Sequence, residues 1–261
     1  MRADQLILEQ GLAPSRSAAQ RLIEGGAVRW RAPGTGEAGW RIPRKAGESL
    51  PLGCELEITD ATELRWASRA GLKLEGVLAA LPEGERPVVA ACTALDVGQS
   101  TGGFTDVLLH HGSARVVGLD VGHGQLIERL RRDPRVRVHE GLNARALDRS
   151  QLGADCPARG FDLIVGDLSF ISQTLVWPAL LALLAPHGAM LMLVKPQFEL
   201  QPQHIGKGGL VKPDAPLQDL QAHLRSVAQR LGLLVCAWLD SPIRGGDGNR
   251  EYFILMRPQH P

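Results

Sequence analysis

The stretch Leu95-Asp96-Val97-Gly98-Gln99-Ser100-Thr101-Gly102-Gly103-Phe104-Thr105-Asp106 constrains the fold more than any other. An apolar run ends in an acidic residue, meets a glycine-rich turn and opens into an amphipathic segment, the order strand, turn, helix. α/β proteins build ligand sites this way, because glycines let backbone N–H groups approach a bound molecule that a Cβ would hold off. The spacing is neither the G-x-G-x-x-G of a dinucleotide fold nor the G-x-x-x-x-G-K-[ST] of a phosphate loop. A ligand without phosphates is therefore the better expectation.

Downstream of Pro87 the pattern alternates. Strands are expected at 94–97, 115–120, 136–139, 161–166, 189–194, 233–239 and 252–256, and helices at about 103–111, 124–132, 172–185 and 214–231. This predicts a doubly wound, mostly parallel seven-stranded sheet of Rossmann-like type, with the last strand antiparallel. Such sheets bind ligands beyond the carboxyl ends of their strands. Asp120, which could hold ribose hydroxyls or serve a turn before Gly122, ends one strand, and Asn143 follows the next. Asp167 and Lys195 each follow a buried-type run. An ammonium at such a place needs a partner, and Asp167 is a natural one. With an antiparallel last strand, Glu251 falls on the same edge. Lys73 flanks the stripe Leu74, Val77, Leu78 and Leu81 of a helix that Ser68 can cap; on pattern alone it is a snorkelling surface lysine.

Composition narrows the class. With 261 residues and 44% hydrophobic content the chain can bury a large core, and 29 basic against 28 acidic residues give no overall field for an anionic partner. Any such partner must be met by a local basic patch. Cys54, Cys92, Cys156 and Cys236 form no C-x-x-C pair and fit a reducing cytoplasm. No secretory signal or membrane span is read, and the histidines show no ligand-like grouping apart from adjacent His110 and His111, so no metal is expected.

The first sixty residues form a separate pattern. Short helices over 4–10 and 16–24, the second capped by Ser15 and closed by Gly25-Gly26, precede strands at 28–30 and 54–58. The phrase Leu12 to Val28 resembles the S4-like (αL) RNA-binding module. That resemblance points to Arg16, Arg21, Arg29 and Arg31 as RNA contacts, where pattern alone reads solvated arginines. The domain reading is a small α+β RNA-binding domain over 1–60, a linker over 61–67 and the α/β domain over 68–261.

Leu95 to Asp106, Asp120 to Leu126, Gly166 to Ser172, Lys195-Pro196-Gln197-Phe198-Glu199, Gly206 to Gly209 and Ser241 to Phe253 together resemble the TlyA (hemolysin A) family, which joins an S4-like module to an FtsJ-like methyltransferase domain. The resemblance implies a class I fold and transfer of a methyl group from S-adenosylmethionine to ribose 2′-hydroxyls of ribosomal RNA, at cytidines. It places a lysine, aspartate, lysine, glutamate tetrad on Lys73, Asp167, Lys195 and Glu251, against the pattern reading of Lys73. Lys195 is the expected proton acceptor. Donor binding is expected from Asp96, Gly98, Ser100, Thr101, Gly102, Gly103, Phe104, Asp120, Val121, Asn143 and Asp167. Lys207 and Lys212, in a glycine-rich loop, are expected RNA contacts. Gln99 and His123 depart from the family pattern, Gln99 replacing a small residue and His123 an aromatic hydroxyl. The rival readings are a non-catalytic ribosome-assembly protein, a membrane-lytic hemolysin and a nicotinamide-dependent oxidoreductase; the last has the wrong glycine spacing.

Overall fold

A computed structural model describes residues 1–259. It divides into two compact units, residues 1–68 and 69–261.

In the first unit α1 (Ala3–Glu9) and α2 (Arg16–Glu24) pack beside a two-stranded antiparallel sheet of β1 (Val28–Arg31) and β2 (Glu55–Ile58), with Val28 opposite Ile58. Ser15 caps α2, its Oγ accepting the Ala18 N–H at 3.2 Å. The apolar face of α2 supplies Ala18, Ala19, Leu22 and Ile23 to a core shared with Ile7, Val28, Leu50 and Cys54. Asp4 sits in the same interior, fully buried, and accepts hydrogen bonds from Arg2, Arg16 and Gln20. The Arg2 guanidinium, helped by Gln20 and Arg16, holds its carboxyl well below the usual carboxylate range. A buried charge is tolerated only with such pairing.

The second unit opens with α3 (Arg69–Ala80) and then alternates: β3 (Thr93–Val97), α4 (Gly103–His110), β4 (Arg115–Asp120), α5 (Glu128–Arg131), β5 (Val136–Glu140), α6 (Arg149–Leu152), β6 (Phe161–Gly166), α7 (Trp177–Leu181), β7 (Leu184–Val194), α8 (Leu217–Arg230), β8 (Leu233–Asp240) and β9 (Tyr252–Pro258). The sheet order is β5-β4-β3-β6-β7-β9-β8. Every pairing from β5 to β7 is parallel, while β9 inserts antiparallel between β7 and β8. The expected seven-stranded Rossmann-like sheet is thus present. Its central strands are covered on both faces, which is why Leu163, Ile164 and Val165 are all fully buried. The strand order reverses between β3 and β6, so their carboxyl ends open a crevice at a topological switch point.

Three local readings differ from the structure. The helix expected over 124–132 shrinks to α5, four residues long, because Gly122 and Gly124 precede it and Asp133-Pro134 follow. The segment 172–185, expected as one helix, is a 3-10 turn at Gln173–Leu175, then α7, then the start of β7; Pro178 fits only a first helical turn. α6 escaped the pattern because it is a single turn, yet it carries a full capping box between Asp148 and Gln151.

Candidate active site

Four charged side chains converge where the parallel strands of the second unit end. Lys73 comes from the buried side of α3, Asp167 follows β6, Lys195 follows β7, and Glu251 precedes β9, whose reversed direction brings its start to this edge. Lys73 Nζ donates to Glu251 Oε2 at 2.5 Å and lies 4.0 Å from Asp167 Oδ2. Lys195 Nζ lies 2.6 Å from Asp167 Oδ1 and donates to Ser169 Oγ at 2.8 Å. Asp167 therefore sits between two ammonium groups. The two lysines balance the two carboxylates, which is what allows four ionisable groups to share a poorly solvated site. Glu251 is 3% exposed. Burial pushes its carboxyl up from the usual range, and the Lys73 ammonium works against that shift.

A cleft of about 510 Å³ adjoins this cluster, running from the turn after β3, past the end of β4, to the loop after β6. Of the residues expected to hold a donor, Gly98, Ser100, Asp120, Val121, Asn143 and Asp167 line it. Gly98 has φ +81°, and a Cβ there would lie 2.8 Å from the Asp167 carbonyl oxygen, so the two loops meet only because this position has no side chain. Asp120 orders the turn, its Oδ2 accepting the Ser100 N–H and its Oδ1 the Gly122 N–H, each at 2.8 Å. Asn143 both lines the cleft and caps a short turn, its Oδ1 accepting from Arg145 N–H at 2.9 Å.

Asp96, Thr101, Gly102, Gly103 and Phe104 are not among the cleft-lining residues. Phe104 is core, its ring 6.2 Å from that of Phe253. Asp96 is 1% exposed and forms the end of a buried chain in which Gln99 Nε2 donates to Thr105 Oγ1 at 2.8 Å and Thr105 Oγ1 donates to Asp96 Oδ2 at 2.7 Å. Asp96 Oδ1 is buried without a hydrogen-bond partner. Burial pushes this carboxyl up to about 7, only partly offset by Thr105. The same chain explains the bulk of Gln99. Its side chain occupies the space over Gly118, where any Cβ would collide with it. His123 is exposed beside the glycine turn at Gly141.

Sequence reading missed Phe170. It lies in the cleft wall, 89% exposed at φ +63°, with its ring 5.0 Å from that of Phe198. Glu199 fixes the adjacent loop, accepting from Ser172 Oγ at 2.6 Å and Gln173 N–H at 2.7 Å. A bulky exposed aromatic in left-handed backbone is a costly arrangement. The motif residues alone carry no sign of it.

The four arginines expected on RNA are each ion-paired within the first unit. Arg16 holds Asp4, Arg21 holds Glu63, Arg29 holds Glu57, and Arg31 holds Glu55 and Glu37. Trp40 also stacks against Arg29 and Arg31, at 4.5 and 4.8 Å. Lys207 and Lys212 stand exposed on the loop before α8. No helix among the described residues is long and apolar enough to cross a membrane, and no group of three His, Cys, Asp or Glu among them could hold a metal.

The FtsJ-like methyltransferase model matches residues 66–257, and the S4 domain model matches residues 1–29. The chain is 40% identical over 265 residues to the 16S/23S rRNA (cytidine-2′-O)-methyltransferase TlyA of Mycobacterium tuberculosis, covering 99% of this chain and 90% of that one. The chain belongs to the TlyA family of FtsJ-like methyltransferases. Another relative is Hemolysin A of Brachyspira hyodysenteriae, 34% identical over 256 residues, covering 97% of this chain and 98% of the relative. Among solved structures, a protein described as a hemolysin from Streptococcus thermophilus matches with a TM-score of 0.72 and 36% identity, covering 100% of this chain and 90% of that one.

The residues present fit S-adenosylmethionine, the cofactor of such methyltransferases. No lysine or arginine lines the cleft; it offers two carboxylates, Asp120 and Asp167, with Val121, Leu142, Leu168 and Ile171 as apolar surface. Acceptors for ribose hydroxyls and an ammonium group suit a cationic nucleoside. They do not suit a diphosphate.

Proposed function

We propose that the chain transfers the methyl group of S-adenosylmethionine to 2′-hydroxyls of ribosomal RNA, at cytidines, and so acts in the cytoplasm. The observation that carries this reading is the Lys73, Asp167, Lys195 and Glu251 cluster beside an acidic, non-basic cleft. When bound, S-adenosylmethionine supplies a methyl group made electrophilic by its sulfonium. The protein's task is to present a weak nucleophile in line with that carbon and to take its proton.

Asp120 is assigned the ribose hydroxyls of the donor, and Val121 and Leu142 its base. Asp167 works in two directions: its side chain holds Lys195 Nζ, and its backbone closes the cleft against Gly98. Lys195 accepts the 2′-hydroxyl proton once its own extra proton has passed to solvent, with Ser169 and Asp167 fixing where its Nζ points. Lys73 and Glu251 do not receive that proton in this scheme. Their buried pair supplies a rigid, charge-balanced wall that orients the target ribose and keeps Asp167 in place. Phe170, exposed at the cleft wall, offers an aromatic face to a base lifted out of its stack.

The S4 domain is assigned to RNA binding. Because its expected arginines already hold carboxylates, Arg41, Arg44 and Lys45 are the first-unit cations assigned to phosphates. The test is incorporation of labelled methyl groups into ribosomal RNA that lacks these modifications. Incorporation at cytidines supports the reading, and none in any ribosomal substrate overturns it.

A further inference from the structure

Beside the cluster lies a second cleft that the scheme above does not use. It measures about 410 Å³ and is bordered by the loop 210–213, Leu217 and the turn 244–250. Three cations line it: Lys212, Arg244 and Arg250. Among the described residues none of the three has a carboxylate partner, whereas Arg115, Arg129, Arg131 and Arg135 elsewhere in the same unit each hold one. Arg244 Nη1 donates only to the Gly248 carbonyl, at 2.9 Å. The carboxylate in the same turn, Asp247, is engaged by Asn249 and by Gln197 Nε2 at 2.9 Å.

The cleft is held in shape. Asn249 is 4% exposed and stitches its two walls together, its Oδ1 accepting the Val211 N–H at 2.8 Å and its Nδ2 donating to the Gly209 carbonyl at 2.9 Å. Arg69, the first residue of α3, donates to the Arg244 carbonyl at 3.2 Å. Pro242 packs so closely on Gly76 of α3 that a Cβ there would lie 2.6 Å from its ring. The turn is thus tied to the helix that carries Lys73. Arg250 also borders a smaller recess of about 250 Å³ that Glu251 lines. Consecutive residues therefore serve different surroundings: Glu251 enters the buried cluster, and Arg250 stays exposed beside it.

We propose that this cleft binds a phosphodiester of the RNA strand that carries the target ribose, with Lys212, Arg244 and Arg250 as its contacts. The proposal rests on the RNA methyltransferase reading. Unpaired guanidinium and ammonium groups in a preformed concavity suit a phosphate oxygen, through charge-assisted hydrogen bonds that need no particular base. Seated next to Glu251, the contact fixes the strand's register at the catalytic edge.

The test compares the full chain with Lys212→Ala/Arg250→Ala, using Arg225→Ala, an exposed cation on α8, as the control. Binding of a ribosomal RNA fragment is followed across a salt series, and methyl transfer is measured separately. The expected result is a salt slope smaller by between about 1 and 2 in the double variant. The RNA KM rises about tenfold at fixed salt, while S-adenosylmethionine affinity stays unchanged, since none of the three cations lines the donor cleft. A slope and KM equal to those of Arg225→Ala overturn the proposal. Binding and transfer are read apart: a slope change without methyl transfer by the parent chain supports the cleft while overturning the proposed function.

Discussion

Lys73 Nζ lies 2.5 Å from Glu251 Oε2, a buried pair joining positions 178 apart in the sequence. Neither residue reaches solvent well enough to stand alone, since their side chains are 8% and 3% exposed.

Breaking that pair on one side strands a charge. Glu251→Gln or Lys73→Met is expected to destabilise the second unit by about 3–5 kcal/mol. The double variant Lys73→Met/Glu251→Met is expected to recover most of that loss without recovering methyl transfer. Urea unfolding alongside a transfer assay checks both halves.

Lys195→Ala is expected to lower methyl transfer at least about 10²-fold, the range for loss of a positioned general base. S-adenosylmethionine affinity by calorimetry is expected to stay within about threefold, because the Asp120 end of the cleft is untouched and the expected change is well under 1.4 kcal/mol.

The turn itself is tested at Gly98. Gly98→Ala forces a Cβ into φ +81° and toward the Asp167 carbonyl, 2.8 Å away. Left-handed backbone costs an alanine about 1–2 kcal/mol before the collision is counted. Donor affinity is expected to fall at least tenfold, about 1.4 kcal/mol, with the far-ultraviolet dichroism spectrum retained.

Asp96 gives a pH dependence. Its carboxyl is pushed up to about 7 by burial, against 3.8 for the unperturbed side chain. The native protein keeps a proton there that the unfolded chain has already released, so this contribution is full below about pH 4 and is lost as pH rises through about 7. Thermal unfolding of the ligand-free protein is expected to show stability falling across that window by a few kcal/mol. Asp96→Asn is expected to make the fall shallower, leaving the part due to Glu251 and Glu199, whose carboxyls burial also pushes up.

The paired arginines of the first unit yield a contrast. Arg44→Ala/Lys45→Ala is expected to weaken RNA binding more than Arg29→Ala, because Arg29 already spends its charge on Glu57 at 2.8 Å. Filter binding at two salt concentrations checks it.

Much of this was legible in the chain before its structure. The Leu95–Asp106 turn and the apolar runs at 161–166 and 189–194 report local hydrophobic patterning, and the sheet they predict is present. Where a side chain's role is set by distant partners, the pattern is silent. Lys73 reads as a surface lysine because Glu251 lies at the other end of the domain. Arg16, Arg21, Arg29 and Arg31 read as open cations because their carboxylates come from other elements. Gln99 looks like an intrusion into the donor site, yet it fills a gap over Gly118 on a neighbouring strand. Phe170 depends on a backbone conformation that no spacing announces. Helix lengths failed for the opposite reason: Gly124 and Pro178 interrupt periodic runs too locally for a window to register.

The central claim, transfer to a ribose 2′-hydroxyl, is tested most directly by alkaline hydrolysis of ribosomal RNA labelled by the protein from S-adenosylmethionine. A 2′-O-methyl group blocks cleavage of the adjoining phosphodiester, so the label is expected in alkali-resistant dinucleotides that begin with cytidine, and to be absent with Lys195→Ala. Label recovered in mononucleotides, marking a methylated base, or equal labelling by Lys195→Ala would contradict the account.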